Sequence, residues 1–484
     1  MSETVEIYDV TLRDGTQGED ISFSVEEKLR ITRKLADLGV SYVEGGWPGS
    51  NDRDREYFDR ALKEDFGKLK VSAFSSTRRP GVKCDDDVIL QTLLKTGVST
   101  AAIVGKGWDF HVTAVLETTL EENLAMINES VRYLKERIDT VFFDAEHFFD
   151  GFKTSPDYTM EVARAALDSG ADAVVLCDTN GGSMPWEIES AVAETRKRLG
   201  GNPPLGIHAH NDTEQGVANT LYAVRGGVRQ VQGTVNGYGE RCGNANLCSI
   251  IPNLSLKLGI ECIGEGKMDK LYEVAHFIND LANFNPLKKK AFVGKSAFAH
   301  KGGIHASAVM KNSDTYEHIN PELVGNRRRV LVSDLSGRAN IISKAAEMGI
   351  KIEPADKRVQ AILKELKNLE NNGYEFEGAD ASFELLVRKQ LGLYEKRFFV
   401  EDIKTSVERR GKDGEAVSSA EVSVKVDGTV EKSSTVGNGP VNALDNALRQ
   451  SLEGFFPSIR EMSWKDYKVR VVSSAKGTDS VVRV

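Results

Sequence analysis

Three observations predict an α/β chain built around a (β/α)8 barrel. Short apolar strands recur through roughly residue 270, amphipathic stretches separate most of them, and polar residues gather where the strands end. Strands that alternate with helices imply a parallel sheet, and eight such units close it into a barrel. The expected strands are VEIYDVTL (5–12), VSYVEGGW (40–47), KVSAFSS (70–76), TAAIVGK (100–106), TVFFDAEHF (140–148), ADAVVLCDT (171–179), PLGIHAHND (204–212) and QVQGTVNGYG (230–239).

The intervening helices carry their own start and stop signals. In SVEEKLRITRKLADLG (24–39), Ser24 and Glu27 have capping-box spacing, apolar residues recur at three and four, and Gly39 closes the helix. SPDYTMEVARAALDSG (155–170) and SMPWEIESAVAETRKRLG (183–200) repeat the design. Past Leu271 the alternation stops, and Pro, Gly and short helical patterns lead to DKRVQAILKELKNLENNGYEFEGAD (356–380). A different unit follows: a helix in ASFELLVRKQLG (381–392), strands in FFVEDIKTSVER (398–409) and AEVSVKVDG (420–428), and a second helix opening at Gly439-Pro440 with proline in its first turn. Strand-like pieces at 467–474 and 479–484 end the sequence in mid-pattern. The expected domains are a barrel over 1–275, a linker region over 276–372 and an α+β unit over 373–484 that looks incomplete.

Composition narrows the function. The 484 residues carry 63 Lys+Arg against 72 Asp+Glu, a net charge of -9, which argues against a nucleic-acid partner. The basic runs PLKKKAF (286–292) and NRRRV (326–330) read as solvated faces or as contacts to a phosphate-bearing ligand, and the sequence does not separate the two. Five cysteines, an odd number with no CxxC, exclude a disulfide framework and a zinc knuckle. The N-terminus lacks a signal-peptide layout and no apolar run reaches membrane length, so a cytoplasmic protein is expected.

Charged and polar groups fall at the proposed strands' carboxyl ends, where a barrel carries its active site: Arg13-Asp14, Glu44, Glu146, Asp178-Thr179, His208 with His210, and the GYGERCGNAN turn. At i and i+2 on a strand the two imidazoles share one face. Such a pair is either a hydrogen-bonded core feature or a metal site. Asp14, at the same barrel mouth, adds a carboxylate and leaves coordination positions open, as metal catalysis requires. Mixed O and N ligands without thiolate suit Zn²⁺, Mn²⁺, Co²⁺ or Mg²⁺.

YDVTLRDGTQ (8–17), HAHND (208–212), GYGERCGNANL (237–247), AHKGGIHASAVMKNSDTYEHINPELVG (299–325) and GNGPVNAL (437–444) together resemble the α-isopropylmalate synthase and homocitrate synthase family, which condenses acetyl-CoA with an α-keto acid. TLRDGTQGEDISFSVEEKL and GGWPGSNDRD look most like its citramalate synthase branch, whose keto acid is pyruvate. The resemblance implies an acyltransferase that makes (R)-citramalate and CoA for isoleucine biosynthesis. The alternatives are an isopropylmalate or homocitrate synthase of the same family and, from a different reaction class, a metal-dependent hydroxyacyl-CoA lyase.

Residue by residue, the resemblance implies that Asp14, His208, His210 and Asn244 hold the divalent metal. Arg13 would face the keto acid and the charge developing on it, and Thr179 would contact the keto-acid carboxylate; Gln17, Glu44 and Asp144 complete the expected substrate-binding residues. Glu146 would be a catalytic carboxylate, its basicity raised in a dry setting formed by Phe142, Phe143 and Phe148. His305 and Tyr316 match a second catalytic group that reaches the other subunit's site, which implies a homodimer. The C-terminal unit resembles a domain that binds an amino-acid effector, isoleucine or leucine. The sequence departs from the family's pattern at Ser307, where relatives often carry Asp, and at Asp144, often uncharged in relatives and unfavourable beside an anionic substrate unless paired or turned away.

Overall fold

The computed structural model describes residues 4–331, 337–374, 376, 379–409, 416–464, 467, 469–471, 479–480 and 482–484. Eight strands form a closed parallel barrel in chain order: β1 (Glu6–Asp9), β2 (Tyr42–Glu44), β3 (Lys70–Ser76), β4 (Thr100–Lys106), β5 (Thr140–Glu146), β6 (Ala173–Asp178), β7 (Leu205–Ala209) and β8 (Gln230–Gly233). Closure comes from β1, which pairs with β2 through Tyr8 and Tyr42 and with β8 through Ile7 and Val231.

The helices form where their caps predict. Ser24 accepts from the Glu27 amide while the Glu27 carboxylate accepts from the Ser24 amide, so the helix Val25–Leu38 starts with two amides satisfied. Gly39 ends it at φ 92°, where a Cβ would meet the Ile263 carbonyl oxygen at 2.1 Å. Leu29, Ile31, Leu35 and Leu38 of this helix are buried in the shell between strands and helices, together with Val43, Ile103, Phe143 and Ile207 from the strands. Burying each such side chain contributes about 1.5–3 kcal/mol. A smaller cluster inside the barrel stacks Tyr8, Tyr42 and Phe142 edge-to-face or tilted and closes the floor beneath the mouth.

The chain divides into two compact units, residues 1–299 with 317–329, and residues 300–316 with 330–484. The basic runs within the first serve internal ties: Lys290 donates to the Asn236 carbonyl, and Arg328 pairs with Glu317. In the second unit, the helices Arg338–Glu347, Arg358–Asn371 and Asp380–Leu391 share a core of Ile341, Ile362, Leu366 and Phe383. A three-stranded antiparallel sheet follows, Phe399–Arg409, Ala416–Val426 and Thr429–Gly437, with the helix Pro440–Glu453 packing Ala443 and Ala447 on Val422, Val424 and Val426. Its third strand was not among those expected from the sequence. TVEKSSTVG offers apolar residues only at its ends, yet Asp427-Gly428, at φ 46° and 85°, is the hairpin turn that announces it. Of the two final strand-like pieces, Arg470–Val471 pairs antiparallel with Val482–Arg483, and 472–478 lie outside the described residues.

Asp9, at the end of β1, is fully buried and accepts from the amide and hydroxyl of Thr11. Burial raises its carboxyl from 3.8 to about 7, although the Thr11 bonds pull the other way. The folded chain thus keeps a proton that the unfolded chain has released. This group's stabilising contribution is full below 3.8 and is lost as pH rises through about 7. Asp9→Asn is expected to remove that fall, read as a flatter pH dependence of the urea unfolding free energy across the same interval.

Candidate active site

The loop after β1 and the end of β7 bring three ligand atoms together at the barrel mouth. Asp14 Oδ2 lies 3.3 Å from His208 Nε2 and 3.9 Å from His210 Nε2, and the two Nε2 atoms are 3.4 Å apart. Strand alternation turns both imidazoles inward, as the spacing predicts. All three residues are buried, and one ligand atom from each lies within 4.8 Å of the others.

These residues fit a divalent cation. Asp14 Oδ2 and Asn244 Oδ1 are buried oxygens without a hydrogen-bond partner. Asn244 is bridged to His210 along the backbone, and its amide nitrogen donates to the Tyr238 carbonyl, leaving the side-chain oxygen as the free end. His208 Nδ1 is 2.9 Å from Gln232 Oε1; an amide oxygen only accepts, so Nδ1 carries the hydrogen and Nε2 keeps its lone pair toward Asp14 and His210. Electrostatics favour the ligand forms of Asp14 and His210. At His208 burial lowers the imidazole, but the Asp14 carboxylate outweighs it and raises it, so there a cation must displace a proton. Burial alone would raise the Asp14 carboxyl, but Arg13 and the imidazoles hold it well below the usual carboxylate range. Burial and the neighbouring His208 push His210 down to about 4, which keeps it an unprotonated ligand.

Arg13 is locked in place. Its Nε donates to Glu44 at 2.5 Å, its Nη1 to Asp14 at 3.1 Å, and its guanidinium lies 3.7 Å over the Phe74 ring. Glu44, expected among the substrate-binding residues, is wholly buried behind Arg13, where it also accepts from the Tyr8 hydroxyl at 2.9 Å. It orients the arginine and does not line the cavity.

The mouth opens into a cavity of about 440 Å³ lined by Arg13, Asp14, Gln17, Asp144, Glu146, Thr179, His208 and His210. A wider opening of about 1100 Å³ lies at the amino ends of β1–β3, around Tyr42, Lys70 and Ile263, and contains none of these residues. Thr179 Oγ1 accepts the His147 amide at 2.8 Å, which leaves its own hydrogen free to donate. Asp144 accepts from Gln232 at 3.2 Å; burial and then Glu44 push it up to about 7. It is therefore partly protonated near neutrality, which lessens the conflict with an anionic substrate.

Glu146 departs from expectation in its surroundings. Phe142 packs inside the barrel, Phe143 lies in the core outside it, and Phe148 packs on Phe149 and Phe152. The partner of Glu146 is instead Lys106, with which it forms an ion pair at the carboxyl ends of β4 and β5. Lys106 and Gln232 were missed in the sequence, although Lys106 is the charged last residue of an apolar strand and so carried the same signal as Glu146. Arg241 was missed too: it donates twice to Asp212 and once to the Thr179 carbonyl, tying the β6, β7 and β8 loops together. In the second unit, His305 and Tyr316 are exposed and stack on each other, ring centroids 4.2 Å apart.

Gln232→Leu removes the acceptor that orients His208. Divalent-metal affinity, measured by chelator competition, is expected to fall about 10–100-fold, with the melting temperature of the metal-free protein little changed.

Known proteins resemble this chain along its whole length. Residues 4–278 match the HMGL-like family, 292–374 the homocitrate synthase post-HMGL domain-like family, and 377–484 the LeuA allosteric (dimerisation) domain. The (R)-citramalate synthase of Geobacter sulfurreducens is 53% identical over 480 residues, 99% of this chain and 90% of that protein. That of Aquifex aeolicus is 51% identical, covering 100% and 92%. The 2-isopropylmalate synthase of Methanocaldococcus jannaschii is more distant, at 32% over 100% of this chain and 88% of its own. The crystal structure of the Bacillus subtilis HMG-CoA lyase shares the fold, with a TM-score of 0.51 and 19% identity over 60% of this chain and 98% of that one. The chain belongs to the HMGL-like family, in the group formed by its (R)-citramalate synthase relatives.

Proposed function

We propose that the chain condenses acetyl-CoA with pyruvate and water to give (R)-citramalate and CoA. One observation carries the reading: a single cavity gathers three residues that could hold a divalent ion, a fixed arginine, the Thr179 hydroxyl and the Glu146 carboxylate. The full-length identity to (R)-citramalate synthases supports pyruvate as the keto acid.

Asp14, His208, His210 and Asn244 would hold Zn²⁺, Mn²⁺, Co²⁺ or Mg²⁺, which when bound supplies Lewis-acid polarisation of the keto carbonyl. Arg13 and the Thr179 hydroxyl bind and orient the anionic keto acid, with Gln17 at the cavity wall. Because Glu44 already fixes Arg13, that cation needs no reorganisation as charge develops. Glu146 takes a proton from the acetyl-CoA methyl, and the resulting carbon nucleophile adds to the keto carbon. Water then cleaves the thioester, and release of CoA draws the reaction forward. His305 and Tyr316 supply a second acid–base group to the partner's site in a homodimer.

Residues 1–275 carry catalysis in this reading, 276–372 link, and 373–484 bind an amino-acid effector, isoleucine or leucine; the match to a LeuA allosteric domain supports the last. The product would enter isoleucine biosynthesis, in the cytoplasm. Among the described residues no helix is long and apolar enough to cross a membrane. A lyase reading rests on fold likeness alone.

Asp144, in its protonated form, presents a polar surface to the keto acid's side chain. A methyl group leaves it room for water or a hydrogen bond, whereas a branched alkyl group would cover it. In an assay of CoA release, kcat/KM is expected to be at least about tenfold higher for pyruvate than for 2-oxoisovalerate or 2-oxoglutarate, the discrimination that one to two methylenes support. Preference for either larger acid would reassign the substrate. Glu146→Gln is expected to lower kcat about 10²–10⁴-fold at unchanged metal content.

A further inference from the structure

The cavity's cations are of two kinds. Arg13 is held by Glu44 and Asp14, Arg78 by Glu122 and Glu129, Arg79 by Asp87, and Arg241 by Asp212. None of those carboxylates exchanges a proton in the reaction. Lys106 differs, because its ion-pair partner is Glu146.

The backbone around this pair is fixed. Lys106 and Glu146 are register partners on β4 and β5, and the Gly107 amide donates to the Glu146 carbonyl at 2.9 Å. The Lys106 carbonyl accepts from Asn123 Nδ2 at 3.0 Å, and the fully buried Asn123 is held in turn by the Tyr158 hydroxyl. The ammonium itself lines the cavity, its side chain 21% exposed. A flexible four-carbon side chain on a fixed backbone lets the ammonium reach either of two anions a short distance apart.

We propose that Lys106 is a catalytic residue that shifts its ion pair from Glu146 to the thioester oxygen as acetyl-CoA is enolised. The inference rests on the reading of Glu146 as the base. A methyl C–H bond breaks and its proton goes to a Glu146 carboxylate oxygen. The C–H electron pair forms the C=C bond, and the carbonyl π pair moves onto oxygen. Glu146 loses its negative charge in the same step in which the thioester oxygen gains one, so the net charge facing Lys106 is constant and the ammonium keeps its three protons. When the enolate carbon attacks the keto carbon, the thioester carbonyl re-forms. A cation already in the low-dielectric mouth stabilises this oxygen with little reorganisation.

The test uses the full-length, metal-loaded protein and S-carboxymethyl-CoA, a stable analogue whose carboxylate oxygens stand for the enolate oxygen. Lys106→Met is expected to lower kcat about 100-fold with KM for pyruvate unchanged, and Lys106→Arg to recover part of the loss. By calorimetry, Lys106→Met should weaken the analogue about tenfold or more while acetyl-CoA binding barely changes. The same weakening should appear in a Glu146→Gln background, where a role exerted only through Glu146 would give none. Equal affinity for the analogue with and without Lys106, in either background, overturns the proposal. Full turnover by Glu146→Gln alone would overturn the reading of the base beneath it. Should Lys106→Met fail to fold, Lys106→Gln carries the same comparisons.

Discussion

The structure of the barrel mouth depends on one electrostatic constraint: a carboxylate and two imidazoles, all buried, crowd their ligand atoms within 4.8 Å. A buried anion is costly unless it is paired and hydrogen-bonded. Asp14 has Arg13 on one oxygen, while the other faces only the imidazoles, an arrangement that a divalent cation would complete. The surrounding residues read as supports for it. Ser72 bonds the Tyr8 hydroxyl, Tyr8 holds Glu44, Glu44 holds Arg13, and Gln232 sets the tautomer of His208 while reaching Asp144. Closure of the sheet makes this possible, because β8 alone separates β1 from β7.

The charges around the mouth divide by what they must do. Arg13, Arg78, Arg79 and Arg241 are tied to carboxylates that take no part in the proposed proton transfer, and they shape the loops or present a fixed field. Glu146 and Lys106 form the pair whose charges the reaction would rearrange. A barrel can combine both kinds because its strands carry the reacting groups on rigid backbone, while arginines such as Arg241 hold the loops from their own side chains.

Much of this was legible in the sequence, and the reasons are physical. The strand–helix alternation appears because each barrel strand is buried on both faces and each helix on one, so the hydrophobic pattern records the architecture directly. His208 and His210 announced themselves because strand alternation alone puts them on one face. The relation of Glu44 to Arg13 was not legible: whether a carboxylate at a strand end faces the cavity or lies behind its neighbour depends on side-chain direction, which residue order does not encode. The same holds for Gln232, whose role depends on the strand next to it, and for the pair of Lys106 and Glu146, separated by forty residues. The aromatic surroundings expected for Glu146 failed because adjacent strand residues alternate in facing; Phe143 and Phe142 point to opposite sides of the sheet. In the second unit the strand Thr429–Gly437 escaped because its apolar signal is too sparse for periodicity to register.

Whether a divalent ion sits among Asp14, His208 and His210 is decided by anomalous diffraction from crystals grown with Mn²⁺. One strong peak is expected at the mouth, about 2.0–2.3 Å from Asp14, His208 Nε2 and His210 Nε2, with Asn244 turned toward it. A peak elsewhere, or a mouth in which these side chains separate and bind no ion, would contradict it.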